Sequence, residues 1–406
     1  MSERALRGVA ARIDARIPRP ESFTSGLRGP RTTARIGTWL AVTFTIAFVT
    51  GLYSHASQLA TPPLTLPSGP SRLYQVTQGL HVAAGTASVP LLLVKLWSVF
   101  PRLFVRPPRA GRELVLNLLE RVSIALLIGS AIFQLATGLA NSAQWYPWSF
   151  DFIRAHYALA WVAIGSLALH VAVKLPVIRR VFTEPVDGPA DGFDDGPRDG
   201  AAEPGHDGVP TRRTLLRATW VSAAVAVVVT TSVEIPGLRR LAVLAVRSGQ
   251  GPQGVPINRS AVGADVAGLF DDPAWRLRVV GPVDTVELSL DDLRAMQQRS
   301  AVLPIACVEG WSASGEWGGV PVRDLVALVG GGPDDDVVVR SMQPRGAYRE
   351  SRLPANFVRN PDSLLALTLA GEPLHRDHGF PCRLIAPARP GVLQTKWVRE
   401  VEVVKA

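Results

Sequence analysis

The sequence has little cysteine, two residues in 406, and little charge, with Asp, Glu, Lys and Arg making up 19%. Two thiols cannot build a four-cysteine zinc or iron-sulfur centre, nor the disulfide framework of a small secreted domain. The low charge stands beside 47% apolar residues, a balance that excludes a disordered tail protein. Histidine is also scarce, with seven in the chain, so the position of each one carries information. Acids are outnumbered, 34 against 43 Lys and Arg. At roughly 100 to 200 residues per domain the length implies two or three units, and the positive mean hydropathy points to a membrane part.

The basic residues sort by position. Met1 to Arg35 holds eight arginines against Glu3, Asp14 and Glu21, with no long apolar stretch. Four apolar runs follow, about Ile36 to Ala56, Val76 to Phe100, Leu116 to Ala140 and Phe152 to Val177, each near the roughly 20 residues that cross a bilayer. The connection after the second run carries Arg102, Arg106, Arg109 and Arg112, and Arg179 and Arg180 follow the fourth, whereas the connections after the first and third are nearly free of Arg. Short cytoplasmic loops retain Lys and Arg, so both ends of a four-helix bundle over 36–180 are expected in the cytoplasm. This assignment accounts for the net charge of +9 and leaves no basic face for nucleic acid.

Residues 181–210 are acidic and rich in Gly and Pro, the composition of a linker. The segment Thr211-Arg212-Arg213-Thr214-Leu215-Leu216 then opens a mild apolar stretch that ends near residue 236. It resembles a twin-arginine export signal used as a membrane anchor, which implies that the region beyond it is exported. An ordinary basic helix flank is the alternative. From 251 to 406 the pattern changes to short β-branched runs, such as Val302 to Ala306, Val337 to Ser341, Cys382 to Ala386 and Val398 to Val404. They are broken by Gly, Pro and Asp turns and by two helical stretches, Ser289 to Gln298 and Val322 to Val329, which makes a mixed α+β domain.

Two segments of this domain concentrate chemistry. In Leu303-Pro304-Ile305-Ala306-Cys307-Val308-Glu309-Gly310-Trp311 a thiol stands at the end of an apolar strand that opens into a Gly and Trp loop. A thiolate held there suits a soft, high-valent metal. In His375-Arg376-Asp377-His378-Gly379-Phe380-Pro381-Cys382-Arg383, with Lys396-Trp397 downstream, cations converge as an anion would require. By residue type alone, Cys307 is also compatible with a buried structural thiol or with a disulfide to Cys382, although Cys382 reads as a small core residue.

In order, W-x-L-x-V-x-G, S-L-x-D-L, the strand ending in Cys before E-G-W-S, W-x-G-V-P-V-x-D-L, H-G-F-P-x-R-L and K-W resemble the molybdopterin domain of the sulfite oxidase family. The resemblance covers about Trp275 to Val404. It implies that Cys307 is the single protein ligand to molybdenum and that His378, Arg383 and Lys396 bind the pterin and its phosphate. Asn258 and Arg259 are weaker pterin contacts, and Tyr348 belongs to the substrate funnel as a catalytic candidate. The E-G-W-S form looks like the short bacterial branch, which includes the protein-methionine-sulfoxide reductase catalytic subunit. Trp311 to Ser314 stand where sulfite oxidases carry an Arg-rich loop, which leaves a sulfoxide or a related oxyanion open as substrate.

His55, His81, His156 and His170 lie in or at the ends of the apolar runs, where an imidazole is costly and function is the first hypothesis. On the topology above, His81 and His156 enter their helices from the same side and can clamp one haem b iron. The 14-residue spacing from His156 to His170 resembles di-haem cytochrome b subunits, but Lys95 stands 14 residues after His81, so one haem is expected.

The expectation is an all-α transmembrane bundle followed by a mixed α+β molybdopterin-binding domain of sulfite oxidase type, in a multi-pass protein of the bacterial cytoplasmic membrane. The amino terminus and linker face the cytoplasm and the C-terminal domain lies outside. The chain is expected to hold molybdenum-molybdopterin and haem b and to exchange electrons between a small substrate and the membrane quinone pool. A haem-b electron-transfer protein whose outer domain binds a ligand without molybdenum chemistry is the alternative, and a membrane sensor that binds an anion through Arg383 and Lys396 is another.

Overall fold

The computed structural model describes residues 18–23, 25–59, 62–183, 210–231, 238–245, 251–269 and 272–405. Residues 1–17 of the basic segment, 184–209 of the expected linker and 232–236 of the expected anchor lie outside them. The chain forms two compact units. One comprises Met1–Phe48, Ala83–Asn141 and Trp145–Val228, and the other Val49–Val82, Ser142–Gln144 and Val229–Ala406.

Among the described residues five helices are long and apolar enough to cross a membrane: α1 (Pro30–Gln58), α2 (Leu73–Val99), α3 (Gly111–Ser142), α4 (Phe152–Thr183) and α5 (Arg212–Thr231). Their sequences are apolar around the whole circumference, which a water-facing helix does not need. Small hydroxyl side chains join α1 to α2 within the helical unit: Ser88 Oγ donates to Thr43 Oγ1 at 2.7 Å and Thr33 Oγ1 to Ser98 Oγ at 3.1 Å. Such residues let helices approach closely and satisfy one another where lipid offers no partner. Lys95 donates from Nζ to the Thr33 carbonyl at 2.8 Å, and Gly37 leaves the space that this amine occupies.

The second unit contains two five-stranded sheets. In the first the order is β2 (Thr285–Leu288), β1 (Leu277–Val280), β10 (Val398–Val404), β5 (Asp336–Ser341) and β6 (Glu350–Leu353). Only β1 and β10 run parallel; the other pairs are antiparallel. A register irregularity between Val398 and Glu400 lets Val398 and Val401 both face the core, while Glu400 and Glu402 turn outward, where both accept from Arg340 on β5. Arg340 also donates to Glu350 on β6 at 2.8 Å, and these carboxylates raise its pKa. The short helices α6 (Leu290–Ala295), α7 (Val322–Leu328) and α8 (Ala355–Val358) contribute Leu293, Leu325 and Phe357 to the same core. A capping box starts α6, with Ser289 Oγ accepting from the Asp292 N–H and the Asp292 carboxylate accepting from the Ser289 N–H.

The second sheet runs β3 (Arg299–Ala306), β4 (Ser312–Pro321), β7 (Leu364–Leu369) and β8 (Glu372–Pro373), with β9 (Arg383–Ile385) also on β7. Here the structure corrects the expectation of a Gly and Trp loop after Cys307. The loop is only a tight turn, closed by Cys307 N–H to Trp311 O at 2.8 Å and Gly310 N–H to Cys307 O at 3.1 Å. Gly310 takes φ +90°, a conformation in which other residues are strained. Beyond it, β4 pairs with β3 from Ala306↔Ser312 to Arg299↔Gly319. The glycines that suggested a loop serve close packing instead, since a Cβ at Gly319 would stand 2.1 Å from the Leu365 carbonyl oxygen on β7.

Candidate functional site

Cys307 directly follows β3 with 2% of its surface exposed, among Ile305, Trp311 and Trp317. Neither it nor Cys382 is in a disulfide. Cys382 lies one residue before β9 in the main core, and burial raises its thiol pKa above the ordinary range. It is a small packing residue, and the disulfide alternative is excluded.

The His-Gly-Phe-Pro segment places its groups by a turn and a strand. A 3-10 turn, Arg376–His378, ends at Gly379 with φ +112°. A Cβ there would come within 3.0 Å of Lys396 Cβ and 3.1 Å of Arg383 Cβ, so glycine is required for the two cationic side chains to share this corner. His378 is buried and lies 2.6 Å from the Pro252 carbonyl through Nε2, an acceptor that requires the proton on that nitrogen. Burial lowers its pKa to about 4, so the ring is neutral. His375 serves its own turn, accepting the Asp377 N–H at Nδ1.

Arg383 opens β9 with 2% of its surface exposed. It donates to the His378 carbonyl at 3.1 Å and to the Gln394 carbonyl at 3.2 Å, and its guanidinium lies 5.1 Å from the Trp317 ring centroid. Its Nε has no partner, and burial lowers its pKa to about 9. Lys396 donates from Nζ to the carbonyls of Arg259 at 2.8 Å and Asp377 at 2.9 Å. Burial first, and then Arg383, lower its pKa to about 7, and the Cys307 thiol is within electrostatic range of this amine. Among the described residues neither cation has a carboxylate at ion-pair distance. The Asp377 carboxylate acts on Lys396 only from beyond ion-pair distance, and a buried guanidinium such as that of Arg383 is expensive without a counter-charge, so an anion bound at this corner would be stabilised.

The other expected residues fall at different depths. Arg259 is exposed; its guanidinium is bonded to the Gly263 carbonyl, and it meets Lys396 through its own backbone oxygen. Asn258 is exposed. Tyr348 is half-buried in the turn between β5 and β6, and Tyr74 lies within electrostatic range of both Tyr348 and Cys307. Among the described residues no cluster of three or more His, Cys, Asp or Glu could hold a metal. A metal at Cys307 therefore needs a chelating cofactor as well as the thiolate.

The two candidate haem ligands are each fitted to their surroundings. His81 lies against Gly51 of α1, where a Cβ would be 2.9 Å from its Cε1. His156 Nδ1 is 3.0 Å from Thr137 Oγ1 on α3, and Gln134 Nε2 donates to the His156 carbonyl at 2.8 Å. Residue-by-residue reading missed Gln394, whose carbonyl holds Arg383 from a chemically bland position. It also missed Tyr74, Gln75 and Gln78; three polar residues at the start of an apolar helix were the available signal.

Residues 264–406 match the family model described as an oxidoreductase molybdopterin binding domain. The chain is 34% identical over 142 residues to the putative protein-methionine-sulfoxide reductase subunit YedZ1 of Azospira oryzae, covering 35% of this chain and 53% of that protein. It is 32% identical over 143 residues to the uncharacterized oxidoreductase YuiH of Bacillus subtilis, covering 35% and 71%. It is 31% identical over 159 residues to the sulfite oxidase of Gallus gallus, covering 32% and 35%. The chain thus spans about half the length of the first of these relatives and about a third of the last.

Proposed function

Because the chain belongs to the oxidoreductases that carry a molybdopterin-binding domain of the sulfite oxidase type, we propose that it is a membrane-held enzyme moving an oxygen atom to or from a small sulfur compound. The substrate would be a sulfite-like oxyanion or a sulfoxide, and electrons would be exchanged through haem b with the quinone pool. The observation that carries the reading is the pair Arg383 and Lys396, two cations with no carboxylate at ion-pair distance among the described residues, with the Cys307 thiol within electrostatic range of Lys396.

The residues present fit the molybdenum cofactor. When bound, it supplies two-electron oxygen-atom transfer. Cys307 would give the metal its protein thiolate, a soft ligand on a rigid strand end. Arg383, through its unpaired Nε, and Lys396 would hold the anionic end of the pterin. His378 is neutral with its Nε2 proton committed to Pro252, so it would present Nδ1 to the pterin as an acceptor. Asn258 and Arg259 would flank the pterin from the exposed side, and Tyr348 would face the substrate. Trp311 and Trp317, both buried, keep water from the strand end.

His81 and His156 would hold one haem b, which supplies one-electron steps between the two-electron site and the quinone. The support is a proton assignment. Thr137 Oγ1 donates to the Phe133 carbonyl at 2.6 Å, so it accepts from His156 Nδ1, and Nε2 keeps the lone pair that iron requires. For topology, the Arg distribution and the Thr211-Arg212-Arg213 start of α5 favour a bacterial cytoplasmic membrane protein with the region after α5 outside.

Metal, pterin and haem analysis of the purified full-length protein is the test. Molybdenum and haem b stoichiometric with the chain are expected, with haem bands lost in His81→Ala and His156→Ala. Haem without molybdenum or pterin, from a host that makes the cofactor, would overturn the enzyme reading in favour of an electron-transfer protein with a ligand-binding outer domain. Unchanged turnover of a folded Cys307→Ser would do the same.

A further inference from the structure

The N-terminal end of α2 carries side chains that an apolar helix has no use for unless another element takes them up. Gln75 donates from Nε2 to Ser312 Oγ at 2.8 Å, and Gln78 donates from Nε2 to the Val308 carbonyl at 3.1 Å. Val308 and Ser312 bracket the tight turn that leaves Cys307. Val82 reaches the tip of that turn, its Cγ2 standing 2.7 Å from where a Cβ at Gly310 would be. The contact therefore extends from Gln75 to Val82, about 10 Å of helix.

The amide of Gln78 is held at both ends. Ser54 Oγ on α1 donates to its Oε1 at 2.9 Å, which makes the Tyr74 hydroxyl, 3.0 Å from Ser54 Oγ, the donor in that pair. Tyr74, Gln78 and Ser54 are all buried. A buried polar network that is fully engaged rigidifies its surroundings, whereas a broken one is costly. The chain leading into α2 is tied to the same unit by Asn356 Nδ2 to Leu66 O at 2.8 Å, Asn360 Nδ2 to Ser68 O at 2.9 Å and Ala388 N–H to Ser71 O at 2.9 Å.

We propose that Gln75 and Gln78 are positioning residues for the Cys307 turn, and that the first turns of α2 form one wall of the molybdenum site. The inference rests on the oxidoreductase reading for what the site does, and on the hydrogen bonds alone for how it is held. Its consequence is a hydrogen-bonded connection, through one glutamine amide, between the helix that carries His81 and the turn that carries Cys307. The molybdopterin domain is then incomplete without a segment that precedes the Cys307 turn by more than two hundred positions in the sequence.

The experiment compares full-length, cofactor-loaded protein with Gln78→Met, Gln75→Met and the double variant. Thr77→Val serves as control, since Thr77 on the same helical turn bonds only to the helix carbonyls of Leu73 and Tyr74. One readout is amide hydrogen exchange of the Cys307 and Gly310 N–H groups that close the turn. The other is the Mo(V) paramagnetic spectrum, which senses the thiolate. Loss of each hydrogen bond should speed exchange in the turn by roughly two- to tenfold, leave β1 and β10 unaffected, and shift the spectrum; the control should do neither. Gln75 is less buried than Gln78, so its single variant still decides the matter if Gln78→Met does not fold. Unchanged exchange and spectrum in the glutamine variants would overturn the proposal. Protein without molybdenum would fail the oxidoreductase reading, while exchange in the turn would still decide whether the glutamines hold it.

Discussion

Arg383→Met separates a residue that waits for an anion from one that merely supports the fold. Burial lowers the Arg383 pKa from 12.5 to about 9, which corresponds to about 5 kcal/mol carried against the charged form in the anion-free protein. Its two hydrogen bonds to the carbonyls of His378 and Gln394 return about 1.5 to 3 kcal/mol each. The two contributions nearly cancel, and methionine fills a similar volume beside Trp317 without a charge. The cofactor-free sheet-containing unit of Arg383→Met should therefore stay within about 2 kcal/mol of the parent. On the proposed cofactor contacts the loaded protein should behave differently, because the substitution would leave the anionic end of the pterin facing one cation instead of two. Removing one partner of a buried charge pair costs about 2 to 5 kcal/mol, a weakening of roughly 30- to 4,000-fold in cofactor retention. Thermal unfolding of full-length protein purified with and without cofactor, together with pterin quantification, measures both effects. A cofactor-free variant that unfolds outright while loaded preparations keep their full pterin content would refute the reasoning and make Arg383 a structural residue.

Lys396, with its pKa lowered from 10.5 to about 7, is charged below that pH and neutral above it, so sulfate should bind cofactor-free protein more tightly at about pH 6 than at about pH 8. Titration calorimetry should show the difference, and Lys396→Met should abolish it. His378 has its pKa lowered from 6.5 to about 4, so between these values the unfolded chain takes up a proton that the folded chain refuses. Stability of the sheet-containing unit should decrease as pH falls across that window by at most about 3 kcal/mol, and His378→Gln should flatten the acid limb of a melting-temperature profile. For export, Arg212→Lys combined with Arg213→Lys should silence a C-terminal reporter that works only outside the cytoplasm; full reporter activity would contradict the twin-arginine reading.

The site was legible where its chemistry is local in the chain. Cys307 directly follows an apolar strand, and His378, Gly379 and Arg383 are close in sequence because a single turn and the strand after it position them. Gly379 is explained by the two side chains it must admit. Glycine misled the reading in β4, because the absence of a side chain signals a bend and a close strand approach equally well, and only the neighbouring strand distinguishes them. Arg259 was expected through its guanidinium and arrives through its carbonyl, a choice that sequence does not encode locally.

By itself the sequence determined the helices, through apolar runs of membrane-spanning length, and the molybdopterin-binding domain, through an ordered set of motifs. Both signals reside in residue type and spacing. Tertiary structure alone decided that Arg383 and Lys396 stand without carboxylates, that Cys382 is a core residue, and that Gln75 and Gln78 hold the Cys307 turn. These outcomes depend on which distant segments meet, because desolvation and hydrogen-bond geometry act through space.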